Sequence, residues 1–377
     1  MNNRLSVYSD SRDNNFNLIR FVAASLVLFS HSYALIQLPE PMVQLIGMSW
    51  ATIAVNVFFI TSGFLVAGSL FARNNLLAFI WARVLRIYPA LIVAMIFCVF
   101  FIGWYFTTES SVSYFSDPET IKFFIRNTTL FNGVSYELPG VFESNLYPGA
   151  VNGSLWTLPF EIDMYAYLAL ICCALTYVKK YIDKEFFKAA FFLITFTAVA
   201  IAAYSHSSDP VNYDLHFFAL FFSGSCFFLL REHICMSFRL FALLAILLFL
   251  SAFNQDIFYF AFILFSPYLV IYLAYVPGGL IRNFNKLGDY SYGIYIYAFP
   301  VQQSISALFP GVSLSTMITL SFTITLLLAC LSWHLVEKNI LRFKGSYVIF
   351  EGFIRKLHNK ISFRFLCLRV CGKERKK

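Results

Sequence analysis

Ten apolar runs, each close to twenty residues, constrain this chain more than any motif it carries. They fall at about 17–37, 49–71, 87–106, 154–178, 186–204, 212–230, 238–254, 256–276, 288–306 and 314–336. At about 1.5 Å of rise per residue such a run matches the hydrocarbon thickness of a bilayer, and a helix there satisfies its own backbone. The reading is an all-α, polytopic membrane protein with ten transmembrane helices. Composition agrees: 59% of the residues are hydrophobic, 13% are charged and the mean hydropathy is +0.70. That is too apolar for a soluble domain and excludes disorder.

An even number of crossings returns both termini to one side, and charge tests this independently. With ten spans, all of the 28 Lys and Arg residues except Lys122 and Arg126 fall on the side of the termini. Cytoplasmic loops collect cations in this way, so both termini are read as cytoplasmic. One span added or removed would invert every later connection and scramble the segregation. The net charge of +8 therefore reflects orientation and does not call for a nucleic-acid partner. The chain divides into an N-terminal segment 1–16, a membrane domain 17–337 and a basic tail 338–377. Within the tail, residues 347–371 interleave Phe350, Phe353, Leu357 and Phe365 with Arg355, Lys356, Lys360 and Arg364, a pattern that suits a helix lying on anionic lipid. The longest connection, about 107–153, is external; an acceptor-binding cap and a solvated connector are both open for it. No cleavable signal, phosphate-binding loop, dinucleotide fingerprint or metal-ligand spacing is present, and the 8 cysteines avoid the external loops, which argues against a disulfide framework.

Ionisable residues inside apolar runs are the natural candidates for chemistry. Arg20 and His31 lie eleven positions apart on the first span, about 16 Å along a helix. His31 stands about six residues, roughly 9 Å, from the external end. Glu161, counted about seven residues inward along the fourth span, reaches a similar level, so the two are expected to face each other, the acid orienting the imidazole. The bland alternative is a neutral histidine and a protonated acid, each held by one hydrogen bond. Asp163 points elsewhere on the same helix. Arg83 and Arg86 share a helix face at the cytoplasmic end of the third span and join Arg20 there; guanidinium clusters bind phosphates, although orientation alone also places arginines at this level. Ser62, Ser154, Trp156, Tyr165 and Ser291 are further candidates for substrate contact or an oxyanion donor. Asp289, His216, His334 and Glu337 lie near the ends of spans, where anchoring explains them equally well.

Taken in order, several short segments resemble the acyltransferase-3 family of membrane-bound O-acyltransferases. They are the Arg20 to His31 spacing, Val57-Phe-Phe-Ile-Thr-Ser-Gly-Phe-Leu65, Arg83-Val-Leu-Arg86, Ser154-Leu-Trp-Thr-Leu-Pro-Phe-Glu161 and Tyr290-Ser-Tyr-Gly-Ile-Tyr295. The resemblance implies transfer of an acyl group, usually acetyl, from cytoplasmic acetyl-CoA to a hydroxyl of an exported or surface saccharide, at a bacterial inner membrane and without a metal. It implies that His31 is catalytic and that Arg20, Arg83 and Arg86 assist donor binding. Where many members carry consecutive Glu residues, this chain has Glu161-Ile-Asp163. A transporter of a sugar-lipid or anionic solute is the rival reading, weakened by the lack of an internal repeat.

Overall fold

The computed structural model describes residues 4–11, 13–73, 75–178, 184–205, 212–349 and 351–352. Ten principal helices fall where the apolar runs lie: α1 (Phe16–Leu35), α2 (Trp50–Arg73), α3 (Leu76–Phe97), α4 (Leu158–Val178), α5 (Lys184–Ser205), α6 (Tyr213–Leu229), α7 (Phe238–Ser251), α8 (Gln255–Tyr275), α9 (Ser291–Leu308) and α10 (Leu314–Leu331). Among the described residues there is no strand, only isolated bridges. Helix starts follow local side chains that accept from the first free backbone N–H groups: Asn75 from Ala78, Asn212 from Leu215, Asn254 from Ile257 and Ser313 from Thr316. The amphipathic-tail reading of 347–371 lies outside the described residues from 353 onward.

Seven of these helices, with their continuations, are long and apolar enough to cross a membrane. Three of the expected ten fall short, for two reasons. Helices α6 and α7 have only 17 and 14 residues. Helix α9 has 18 residues, but its two glutamines and three serines lower its hydropathy, and most of it is buried within the protein. Its Gln302 donates to the Leu28 carbonyl at 2.8 Å and to Ser32 Oγ at 2.7 Å, and Gln303 donates to the carbonyls of Tyr147 and Ala150. A helix with such side chains fits an apolar bundle only where partners satisfy them.

Helices α2 and α6 cross at a pair of glycines. A Cβ on Gly63 would stand 1.9 Å from the Phe221 carbonyl oxygen, and one on Gly224 would stand 2.1 Å from that of Ile60. Only backbones without side chains can approach so closely, and Ser225 Oγ then reaches the Gly63 carbonyl at 3.0 Å.

Residues expected on the side of the termini gather at one end of the bundle. Leu5 N donates to the Ile234 carbonyl at 2.8 Å, Asn15 to the carbonyls of Leu273 and Pro277, and Trp81 Nε1 to that of Phe343 at 2.9 Å. This is the basic end. At the far end Gln37 donates to the Leu146 carbonyl and Gln255 to that of Gln44.

The long connection is folded into the bundle. Tyr114 donates to the Val99 carbonyl at 3.0 Å and Tyr88 to that of Thr129 at 3.4 Å. The intervening Pro118–Thr129 helix thus runs down α3 by about eleven residues, or about 16 Å. The chain then returns and descends a second time, along α9. Asn145 bonds to Gln303, and Asn152, seven residues on, donates to the Ile296 carbonyl at 2.9 Å, a drop of about 10 Å along that helix. Val141, Val151, Asn152 and Leu155 are wholly buried. A short 3-10 turn, Gly153–Thr157, leads from the bottom of this descent into α4.

Candidate active site

Four ionisable residues from four elements meet at the basic end. Asp289 accepts from Arg20 at 3.2 Å and from Arg86 at 2.5 Å, and Glu337 accepts from Arg86 at 3.3 Å. Ser291 donates to Asp289 at 2.5 Å and Ser332 to Glu337 at 3.1 Å. The Arg86 guanidinium also lies 5.7 Å from the centre of the Tyr292 ring. Two cations face two carboxylates, so this cluster is electrically balanced. Arg83 stands apart from it, packed 5.7 Å over the Tyr165 ring, with no carboxylate at ion-pair distance among the described residues. Its Nε is buried without a hydrogen-bond partner. The three arginines expected to act together therefore divide into two that make direct ion pairs and one that, among the described residues, makes none.

Next comes a small cavity of about 40 Å³ whose lining includes Arg20, Ser62, Glu161, Ser291, Tyr292 and Tyr295. Glu161 accepts from the Tyr165 hydroxyl and, at 3.4 Å, from Ser62 Oγ. The expected pairing of Glu161 with His31 is not formed: no hydrogen bond joins them, and Glu161 shares its cavity with Arg20. The reason lies in the second descent of the long connection, which delivers the chain deep into the bundle before α4 begins. Counting residues inward from the far surface places Glu161 too shallow.

A larger cavity, of about 430 Å³, occupies the far half. His31 lines it together with Glu40, Asn56, Trp156, Tyr213 and His216. The His31 ring packs edge-on to Phe299 at 5.3 Å, and its Nδ1 is buried with no hydrogen-bond partner among the described residues. His216, by contrast, is held at both nitrogens, by Tyr259 and Asn56, each at 2.9 Å. The two cavities share Val55 and Tyr295 as lining residues. Tyr295 is fixed there by its hydroxyl, which donates to the Ser154 carbonyl at 2.6 Å and lies 2.5 Å from Thr157 Oγ1.

The other sequence candidates separate clearly. Ser62 and Tyr165 meet Glu161, Ser291 serves Asp289, and Trp156 faces the larger cavity. Ser154 is buried, with its Oγ unpartnered. Asp163 is exposed on the outside of α4 and lines neither cavity. Glu40 and Tyr213 were not singled out by the sequence, and Tyr295 only as the last residue of a family-like segment. Glu40 was open to notice as the single carboxylate of the connection between the first two spans; Tyr213 and Tyr295 lie among many similar aromatics and acquire meaning only from the packing.

The chain matches the acyltransferase-3 family, described as an acyltransferase domain, over residues 13–334. It is 33% identical over 343 residues to an O-acetyl transferase of Shigella phage Sf6, an overlap covering 88% of this chain and 96% of that protein. It is also 36% identical over 88 residues to nodulation protein 10 of Rhizobium leguminosarum bv. viciae, covering 23% and 24% of the two chains. No solved structure matches it.

Proposed function

This chain belongs to the acyltransferase-3 family, and we propose that it moves an acetyl group from acetyl-CoA at the basic end to a hydroxyl of an exported or surface saccharide at the far end. The reading takes the basic end as cytoplasmic, the ten helices as ten crossings and a bacterial inner membrane as the location. One observation carries it: an arginine-lined cavity and a histidine-lined cavity lie in succession and share Val55 and Tyr295. Arg20 and His31, one at each, are about 16 Å apart along α1, a span suited to an extended pantetheine arm.

The residues then divide the work. Arg83, which makes no direct ion pair among the described residues, attracts the phosphates of the donor, while Arg20 and Arg86 shape the entrance through Asp289 and Glu337. The thioester passes Tyr295 and comes to His31. The acceptor oxygen attacks the thioester carbonyl carbon; a C–O bond forms, the C–S bond breaks, and the hydroxyl proton moves to the imidazole and from there to the departing thiolate. An unpartnered ring nitrogen is free to exchange that proton. A covalent acyl-histidine route is the alternative, and it leaves label on acid-quenched protein.

The test is purified protein in detergent with acetyl-labelled CoA and surface polysaccharide. Label in the polysaccharide is expected, and its loss in His31→Ala. Equal acetylation by His31→Ala removes His31 from the chemistry, and no transfer by the unaltered protein favours transport.

A further inference from the structure

The far cavity offers two kinds of surface. One is aromatic: Trp156 and Tyr213 meet edge to face with centroids 5.1 Å apart, and both pack on Phe217, at 5.8 and 6.0 Å. Trp156 is fixed because the 3-10 turn that carries it is anchored on Tyr295. The other surface is Glu40. Its Oε2 accepts from Ser30 Oγ at 2.5 Å and its Oε1 from the Trp50 backbone N–H at 2.5 Å. Each oxygen of a carboxylate can accept a second hydrogen bond. Glu40 is therefore held by two bonds, retains capacity for two more and lines a cavity together with His31. Ser30, which fixes Glu40, is the chain neighbour of His31 on α1.

Among the described residues that line it there is neither Lys nor Arg. An anionic ligand would meet Glu40 with no cation to offset it, whereas a neutral ligand rich in hydroxyls would find an acceptor. The volume of about 430 Å³ lies within the range of sites that enclose a small molecule. A pyranose ring has the matching chemistry, with an apolar C–H face for the aromatic corner and hydroxyls at its edge for the carboxylate.

We propose that the far cavity is a subsite for one neutral hexopyranose unit of the acceptor, stacked on Trp156 and Tyr213 and hydrogen-bonded to Glu40, so that a hydroxyl is presented to His31. This rests on the saccharide-acceptor reading above and adds its charge class and its binding residues. An acidic sugar, a uronate or a phosphosugar, is disfavoured as the unit bound here.

The experiment measures transfer from acetyl-labelled CoA to a panel of methyl hexopyranosides, with methyl glucuronosides as the acidic counterpart. Transfer to at least one neutral glycoside is expected, at several times the rate of its uronoside. Tyr213→Ala should raise the KM for that glycoside about tenfold, the effect of roughly one lost contact of this kind, with the KM for acetyl-CoA unchanged. Tyr213 is half exposed at the start of α6, so this variant tests binding with little risk to folding. Trp156→Phe, which keeps an aromatic face, should lose less than Trp156→Ala. Glu40→Gln, nearly isosteric, should lower kcat/KM for the glycoside by about ten- to a hundredfold. Unchanged acceptor KM in all of these variants, or a uronoside used as well as its neutral counterpart, overturns the subsite while leaving acyl transfer intact. No transfer to any glycoside while surface polysaccharide is still acetylated overturns the single-unit subsite, and no transfer to either overturns the saccharide reading itself, and the subsite with it.

Discussion

Arg86 and His31 are both ionisable side chains inside an apolar bundle, and their surroundings are opposites. Arg86 meets Asp289, Glu337 and the face of Tyr292. His31 meets a cavity and an aromatic edge, with Nδ1 unpartnered. Burying a charge costs heavily unless it is paired, so the Arg86 cluster holds together α3, the start of α9 and the end of α10. A buried polar atom left without a partner contributes nothing of that kind. Arg86, neutralised by its carboxylates, is read as architecture, and His31, lining a cavity with Nδ1 unpartnered among the described residues, as chemistry.

Substitutions can break that contrast. The largest expected effect is His31→Ala, which should lower transfer by about 10²–10⁴-fold, the range for a general acid or base, while thermal stability in detergent stays as it was. A destabilised His31→Ala protein would make the residue structural after all. Next is Arg86→Ala, which leaves Glu337 buried with no cation at ion-pair distance and Asp289 with Arg20 alone. A loss of about 3–5 kcal/mol is expected, visible as a lower melting temperature; unchanged melting would show the cluster to be dispensable. Arg83→Ala sharpens the division among the arginines. It should raise the KM for acetyl-CoA about tenfold, as one charge-assisted contact is lost, with stability little affected, and an unaltered donor KM would remove it from donor binding. The smallest effect is expected for Tyr295→Phe. It loses the bonds to Ser154 and Thr157, about 1–2 kcal/mol in stability, and loosens the wall between the cavities without removing it; a change in melting above several degrees would mean that Tyr295 carries more of the fold than its two bonds account for.

Most of the helical architecture was readable because length and apolarity dictate it: each run became a helix, and the N-caps stand where Asn or Ser precedes the run. What could not be read was depth. The position of Glu161 was counted along a straight helix from a flat surface, but Asn145 and Asn152 walk the chain down α9 before α4 starts. The same blindness hid Glu40, whose importance comes from Ser30 and Trp50 fixing it beside a cavity that four separate segments enclose. The Arg20 to His31 spacing did translate into structure, because both sit on one unbroken helix, where rise per residue is a reliable ruler. The grouping of Arg20 with Arg83 was only half legible: proximity to one face of a membrane follows from charge, but which arginine is neutralised depends on Asp289 and Glu337, remote in sequence.

The central claim is that a donor entering at the basic end reaches His31 within a cavity open to the far side. It is tested by His31→Cys in a background with the 8 native cysteines replaced, labelled with a membrane-impermeant thiol reagent in vesicles of known orientation. Labelling from the far side is expected, and a non-transferable acyl-CoA thioether supplied only at the basic end should suppress it. A cysteine that does not label from the far side, or labels equally with and without the thioether, contradicts the account.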